Sequence, residues 1–590
     1  MKRKIWLTTG VSAAVITAAL LGGWLWNTNE VRNMDRDVSR FSVEYRVKPE
    51  NVEGKLLSVS VRLKPEYLSP QKTLYLNKEE VDTSKPLCVD QSGNSVVVTD
   101  LNEVWEIGPL KDGVSDVDFS YSVKLGESSG DESRTVGELY SDLLVFQGKN
   151  VLMLPWLDSG NMQHPEKYIT GLSFQLTGEE SWNAIIPFGK INGGEKSFLL
   201  DHPTWYDFYD IGNSSFCFGS FEPLKVSTGA AEATFYLDRA AKNSSDTYDL
   251  SALLAFYQFY AEKFGEGLGD YPFVLLRSTE NGNVILGGVG GRSTALSLSM
   301  PDPDACQTMS RTLYHAFFDS KVTARNLRYQ PNLWLYNGLA DYYVQASADM
   351  LTPQLKQIYG IEPQDDMKKK YLRYLYFSLT DPIMMALSPD QEGNMPTAQE
   401  TFYYETKVPL LLHTLENFTE QNGEGSILRR LVQQRPREDL EVSGFMKDVL
   451  GGNEPVLRQY ISGASFIPNY WGLSGNSMSR EEIISELSLC EDAITDSYQQ
   501  ENIAYPKDTF ELIDPDTLKK EISSRNLSFA SKEVEKIVWE YSDTLYLLLM
   551  QNALRADICG IQDPGELASK TAFHTKANEQ KWLDYVKKAA

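Results

Sequence analysis

Two stretches rich in aromatic residues decide the fold: SRTLYHAFFDSKVT at residues 310–323 and LWLYNGLADYY at residues 333–343. Their apolar side chains recur three or four positions apart, which is the spacing of one buried face of an α-helix. The sequence therefore predicts two helices joined by a loop. They lie in a region with helical periodicity that runs from Ala305 to about Tyr470.

The first stretch contains one histidine, His315, in a setting that matters for zinc chemistry. Two histidines at positions i and i+4 of a helix face the same way and can bind one zinc ion. A glutamate beside the first histidine then acts as general base, and a glutamate on the next helix is the third ligand. The fourth position holds a water whose pKa the metal lowers to about 7.

The two stretches together resemble the motif of the alanyl-aminopeptidases and glycyl-aminopeptidases, which are gluzincin metallopeptidases of the peptidase MA type. These families carry HExxH, an aromatic pair, VT, and then LWLNEGFAEYY. The resemblance places four residues of this chain at the zinc site: Arg311 at the first histidine, Thr312 at the general base, His315 at the second histidine and Asn337 at the ligand glutamate. The motif is therefore degenerate, and its zinc is expected to be lost.

Two further segments resemble the same family in altered form. Gly287, Gly288, Gly290 and Gly291 lie where the family has a glycine-led strand and a glutamate that binds the amino terminus of the substrate. In a later segment, Glu405 stands at the position of the transition-state tyrosine, and Tyr404 is displaced by one residue. The resemblance implies that the four glycines contact a ligand and that no catalytic group is intact.

The periodicity of the whole chain predicts a multidomain α+β protein. Apolar residues alternate with polar ones between Phe41 and about Leu224, as at Leu57, Val59 and Val61, so we predict an antiparallel β domain at residues 38–225. The resemblance implies a thermolysin-like domain, strands first and helices after, at residues 226–472. Helical spacing predicts a separate C-terminal helical region at residues 475–590.

The N-terminus predicts a membrane anchor at residues 1–30. Lys2, Arg3 and Lys4 precede an uncharged run from Ile5 to Trp26. At about 1.5 Å per residue, this run spans the roughly 30 Å hydrocarbon core of a bilayer. The basic residues are expected to stay in the cytoplasm, which places the bulk of the chain outside a cell membrane that it crosses once. A cleaved signal peptide is the alternative.

The charge and the histidine spacing argue against two classes of site: one that binds nucleic acid and one that binds zinc through closely spaced histidines. The chain has 56 Lys and Arg residues against 81 Asp and Glu residues, a net charge of -25, whereas binding to nucleic acid depends on clustered basic residues. No nucleic-acid partner is expected. The five histidines are far apart in sequence, so no two of them have the spacing of a zinc motif.

We predict from these residues a membrane-anchored pseudo-metallopeptidase, without peptidase activity, that acts as a binding or regulatory module, with a peptide or a protein as the candidate partner in the former cleft. Arg311 is expected either to pair with Asp319 or Asp341 or to be solvated on a helix flank, and His315 to be a hydrogen-bonded core residue. One alternative is an active hydrolase with a rearranged metal site, in which Asp319, Asp341, Glu400 and Glu405 join His315. Another is a structural subunit of a membrane complex, with an exposed apolar patch at residues 531–557.

Overall fold

The computed structural model describes the chain from Val38 to Ala589 with internal gaps. The residues left out of this range are 79–80, 82, 84–85, 129–130, 159–160, 177–181, 188, 192–196, 230, 240–246, 278–283, 299–300, 330–331, 362–365, 389–394, 422, 424, 435–438, 451–453, 462–464, 504, 506, 509 and 562–573. The predicted anchor at residues 1–30 lies outside the described residues. Within them, no helix combines the length and the apolarity needed to cross a membrane.

The chain divides into two compact units. One comprises Met1–Leu250 with Gly267–Pro301, and the other comprises Ser251–Glu266 with Asp302–Ala590. The predicted boundary between residues 225 and 226 falls inside a strand, Phe221–Thr228.

The first unit is built mainly of β-strands. They are β1 (Arg40–Asn51), β2 (Leu56–Tyr67), β3 (Leu74–Asn77), β4 (Leu87–Asp90), β5 (Val98–Asp100), β6 (Val104–Ile107), β7 (Val117–Lys124), β8 (Glu127–Ser128), β9 (Asp131–Thr135), β10 (Gly137–Leu139), β11 (Leu143–Gln147), β12 (Ile169–Leu176), β13 (Asn183–Ile186), β14 (Gly189–Ile191), β15 (Ser197–Asp201), β16 (Ser215–Gly219), β17 (Phe221–Thr228), β18 (Ala231–Asp238), β19 (Gly269–Leu275), β20 (Val284–Gly287) and β21 (Thr294–Ser297). Two short helices, α1 (Gly148–Val151) and α2 (Trp205–Gly212), interrupt them.

Alternation of apolar and polar residues builds the largest sheet, whose strand order is β15-β12-β1-β2-β7-β4. Val43, Tyr45 and Val47 on β1 are buried while their neighbours are partly exposed, which confirms the predicted period of two. β1 pairs with β2 in antiparallel register but with β12 in parallel register. The prediction of a purely antiparallel domain is therefore wrong at this pair, because alternation specifies the buried face and not the direction of the neighbouring strand.

Three other sheets in this unit have three or more strands. Their strand orders are β10-β11-β16-β13-β14, β3-β6-β5 and β17-β18-β19-β21-β20. The last is mixed, since β19 runs parallel to both β18 and β21. Strands at residues 269–297 are thus followed in sequence by helices, as the predicted α+β order requires.

The second unit is helical. Its elements are the end of α3 (Thr247–Phe264), α4 (Pro303–Lys321), α5 (Leu333–Ser347), α6 (Pro353–Tyr359), α7 (Asp366–Thr380), α8 (Pro382–Ala386), α9 (Thr397–Phe402), a π-helix (Tyr403–Lys407), α10 (Val408–Gln421), α11 (Ile427–Gln434), α12 (Val442–Phe445), a second π-helix (Met446–Leu450), α13 (Glu454–Ile461), α14 (Arg480–Gln500), α15 (Pro515–Arg525), α16 (Lys532–Tyr541), α17 (Asp543–Cys559) and α18 (Lys576–Ala589). The predicted helical character of the C-terminal region is confirmed, and this region belongs to the same compact unit as the helices from Asp302 onward. In residues 531–557 the large apolar side chain with most exposure is Trp539, at 49 %, and Leu545, Leu548 and Leu549 are buried.

The predicted helix pair is α4 and α5. Asp302 caps α4 by accepting a hydrogen bond from the Ala305 N–H at 2.7 Å, and Pro303 occupies the first turn, where its missing N–H costs nothing. The aromatic side chains of Tyr314 and Phe317 are fully buried. Tyr314 stacks against Tyr343 of α5, with ring centroids 6.3 Å apart, whereas Phe317 stacks against Phe264 of α3 at 5.2 Å.

α5 also packs closely against α10. A Cβ atom on Gly338 would lie 2.3 Å from Cγ1 of Val408, so only glycine allows the two helices to approach to this distance. α5 is therefore held between α4 on one side and α10 on the other, and side chains from all three meet around one cavity.

Candidate functional site

A cavity of ≈ 730 Å³ in the second unit is lined by residues of α4, α5, α6, α7, α10 and the first π-helix. Four residues singled out from the sequence, Arg311, Asp341, Tyr404 and Glu405, lie in its wall. A volume in this range is typical of sites that bind small molecules or peptide side chains. The cavity is therefore the candidate functional site.

Arg311 is tied to α5 by an ion pair with Asp341. Its Nη2 donates to Oδ1 of Asp341, and the two side chains retain 36 % and 38 % exposure. The predicted pairing of Arg311 is confirmed with Asp341 and is wrong for Asp319. Among the described residues, Asp341 is the hydrogen-bond partner of the guanidinium, so other N–H groups of Arg311 are available in the cavity wall.

Tyr342, the residue after Asp341 in α5, is hydrogen-bonded to a histidine that the motif did not indicate. The hydroxyl of Tyr342 lies 3.1 Å from Nδ1 of His413 on α10, and both residues line the cavity. Burial lowers the pKa of His413 to about 4, with Glu420 opposing the shift, and burial raises the pKa of Tyr342 well above its usual value. The imidazole is therefore neutral at pH 7, and the hydrogen bond to Tyr342 occupies Nδ1 and leaves Nε2 as the second polar atom of the ring.

Glu405, Pro409 and His413 recur every four residues, and all three line the cavity. This spacing is the signal that would have indicated His413 once Glu405 was a candidate, because residues four apart share a helix face.

The π-helix Tyr403–Lys407 presents Tyr404 and Glu405 to the cavity. Its last residue, Lys407, is fully buried and donates to the carbonyl oxygen of Leu387 at 2.6 Å. Burial lowers the pKa of Lys407 to about 8. Single π-helical turns occur frequently at functional sites, because the wider turn changes which side chains face a given direction.

His315 lies in a buried polar cluster. Its Nδ1 is 3.0 Å from the hydroxyl of Tyr336, which donates to Oδ2 of Asp319 at 2.8 Å. Asp319 also accepts from Nη2 of Arg328 at 2.7 Å. His315 and Asp319 are only 2 % and 1 % exposed. The interpretation of His315 as a hydrogen-bonded core residue is confirmed.

The other matched positions are not in the cavity wall. Thr312 is buried and Asn337 is half-buried in the second unit. The glycines lie in the first unit, where Gly287 has φ +79° and a Cβ atom there would lie 2.3 Å from the carbonyl oxygen of Ser293. Close backbone approach explains glycine at position 287. That Gly287, Gly288, Gly290 and Gly291 contact a ligand stays a prediction.

Solved structures similar to the chain include two peptidase-family proteins. An aminopeptidase N family protein from Idiomarina loihiensis is 15% identical, with a TM-score of 0.44 over 69% of this chain and 76% of that chain. An M1 zinc metallopeptidase from Deinococcus radiodurans is 15% identical, with a TM-score of 0.40 over 73% of this chain and 95% of that chain. No protein-family model and no curated protein matches the chain.

The residues at the positions of the zinc site do not fit a zinc ion. The guanidinium of Arg311 stays positively charged and would repel a dication, and Thr312 is not a general base.

A rearranged metal site around His315 is not supported either. Asp319 is bound to Tyr336 and Arg328, and Asp341 is bound to Arg311. Across the part of the chain that the structure describes, no three His, Cys, Asp or Glu side chains converge as metal ligands would. Glu400 and Glu405 are thus not part of such a cluster with His315.

Proposed function

We propose that this chain is a pseudo-metallopeptidase that binds a peptide segment of a partner in the cavity beside α4 and α5 and does not cleave it. The observation that carries this proposal is the position of Arg311. It stands where the motif has its first zinc-binding histidine, it lines the cavity, and it is paired with Asp341. Because function depends on the site and not on the fold, the resemblance supplies no peptidase activity once these groups are replaced.

The cavity offers the polar groups that peptide binding requires. Arg311 supplies hydrogen-bond donors, Nε2 of His413 supplies a neutral polar atom, and the second carboxylate oxygen of Asp341 supplies an acceptor. The partial exposure of the Arg311–Asp341 pair leaves both side chains accessible to a ligand. Such a wall can hydrogen-bond the main chain of a bound segment without any catalytic group.

We further propose that the protein acts outside the cytoplasm, held at the cell membrane by its N-terminal helix. The support is the sequence alone: Lys2, Arg3 and Lys4 ahead of the uncharged run from Ile5 to Trp26. The partner would then be another protein at the membrane or in the space outside it.

Metal analysis of a revertant tests the proposal. The triple variant Arg311→His, Thr312→Glu and Asn337→Glu restores the residues of the zinc motif, whereas the wild type lacks them. We expect substoichiometric zinc in the purified wild type and about one zinc ion per chain in the revertant, measured by inductively coupled plasma mass spectrometry. Adding His315→Ala to the revertant is the matched control, and it should abolish the uptake.

The proposal fails if the wild type holds stoichiometric zinc and cleaves aminoacyl or peptide substrates in a way that chelators inhibit. Both measurements are needed, because adventitious zinc can bind to surface histidines without supporting hydrolysis.

A further inference from the structure

The charged residues in the wall of the cavity are sorted by depth. Asp304, Asp349 and Glu405 are exposed at its rim, with the Asp349 side chain 84 % accessible. Arg311 and Lys356 are less exposed, with side-chain exposures of 36 % and 24 %, and Lys370 is buried. The most exposed charges in the wall are therefore acidic, and the less exposed ones are three cations and one carboxylate, Asp341, which is paired with Arg311.

Depth decides which of these charges a ligand feels most. Nζ of Lys356 lies 3.2 Å from Oδ1 of Asp349, but the carboxylate is in water, where its field is screened. Coulomb interactions strengthen as water is excluded, so the less exposed ammonium acts more strongly inside the cavity than its exposed partner. Arg311, although paired with Asp341, adds further N–H donors at the same depth.

His413 adds a neutral polar group to this wall. Its Nδ1 is held by Tyr342, so Nε2 is the ring nitrogen left for a ligand. Cationic donors from α4 and α6 and the imidazole from α10 thus line one cavity whose most exposed charges are carboxylates. An entering group that is rich in acceptors is favoured inside, and a cationic group is favoured at the rim.

We propose that the cavity binds the carboxyl-terminal end of a peptide, with the free carboxylate toward Arg311 and Lys356 and a basic side chain at the rim near Asp304 and Glu405. This inference rests on the proposed peptide-binding function. It assigns the opposite chain direction to that of an aminopeptidase, which holds the amino terminus of its substrate. Charge complementarity between a cationic interior and an acidic rim carries the assignment.

Calorimetric titration of the full-length protein in detergent with the tetrapeptide Lys-Ala-Ala-Leu tests the direction. Three forms are compared: the free acid, the C-terminal amide and the N-acetylated acid. We expect the amide to bind at least about tenfold more weakly than the free acid, because charge-assisted hydrogen bonds to the carboxylate are lost. N-acetylation should change the affinity by less than about threefold, since screening makes exposed charge pairs at the rim weak.

Variants locate the binding site within the cavity. Lys356→Gln and Arg311→Gln should each weaken the binding of the free-acid peptide. They should also reduce the difference in affinity between the free acid and the amide. Lys536→Gln is the matched control, because Lys536 is an exposed lysine of the same unit that pairs with Glu540 outside the cavity. It should leave both affinities unchanged.

The outcomes separate this inference from the function on which it rests. If N-acetylation abolishes binding and amidation has no effect, the peptide binds in the other direction, which overturns the inference and leaves the binding function standing. If the acid and the amide bind equally and the Lys356 variant has no effect, the carboxylate assignment is wrong. If none of the peptides binds, the proposed function fails together with the inference.

Discussion

Arg311 and His315 lie one turn apart on α4, and their environments differ sharply. Arg311 is linked to Asp341 of α5 in the wall of a cavity, with both side chains more than a third exposed. His315 is hydrogen-bonded to Tyr336, which also belongs to α5. These two residues form a cluster with Asp319 that is almost completely buried. In the motif, these two positions bind one zinc ion together. In this chain, position 311 is accessible in the cavity wall and position 315 is part of the protein core.

This difference shows that, without a shared zinc ion, the local environment of each position determines the role of its side chain. A buried polar group must be satisfied inside the protein, and His315 is satisfied by Tyr336. A partly exposed one can exchange partners with water or a ligand, and Arg311 is in that situation. The comparison predicts large effects on stability at the buried end and small ones at the cavity.

The largest effect is expected from Asp319→Ala. The carboxylate of Asp319 accepts hydrogen bonds from Tyr336 and Arg328, and its removal leaves a buried guanidinium without this partner. Breaking a buried ion pair typically costs about 3 to 5 kcal/mol. We expect this loss in the free energy of unfolding, measured by urea denaturation followed by circular dichroism.

Asp341→Ala is the matched control, because it removes the carboxylate at the exposed end. Its cost should be about 0 to 1 kcal/mol. Equal losses in the two variants would contradict the division of α4 into a buried and an accessible end.

A second, smaller loss of stability is expected at acidic pH. The pKa of His413 is lowered from 6.5 to about 4 by burial in the folded protein. As the pH falls below 6.5 the unfolded chain takes up this proton first, so stability that is present above pH 6.5 is lost progressively down to about pH 4. The loss is at most about 3 kcal/mol.

The variant His413→Gln isolates this contribution, since glutamine keeps an acceptor for the Tyr342 hydroxyl but does not titrate. Unfolding free energies of wild type and variant, measured from pH 7 to pH 4, should have different slopes, with the shallower slope in the variant. Parallel curves would show that His413 is not buried as a neutral imidazole.

Sequence alone predicted the parts of the molecule that local periodicity determines. The helices α4 and α5 follow from apolar residues three and four apart, and the β1 and β2 strands follow from alternation. The parallel pairing of β1 with β12 did not follow, because the residues that pair are far apart in sequence and no local pattern encodes their relative direction.

The sequence likewise predicted only part of the candidate site. Opposite charge made Asp319 and Asp341 the candidate partners of Arg311. Asp319 is bound to Arg328 and Tyr336 in the core, and Asp341 is the partner. His413 was not predicted, because its role depends on contact with Tyr342, which lies far from it in the chain. Whether the four glycines contact a ligand depends on tertiary placement, which the motif does not specify.

The smallest effect on stability, and the sharpest test of the comparison, concerns the Arg311–Asp341 pair itself. A double-mutant cycle with Arg311→Gln and Asp341→Asn should give a coupling energy below about 1 kcal/mol, because the side chains are 36 % and 38 % exposed and solvent screens the pair. The same cycle measured on binding of a free-acid peptide should give a larger coupling, since a bound ligand excludes water from both groups. A coupling of 3 kcal/mol or more in the free protein would instead make the pair a structural tie between α4 and α5. Arg311 would then belong to the core with His315, and the cavity wall would have lost the residue on which its binding function depends.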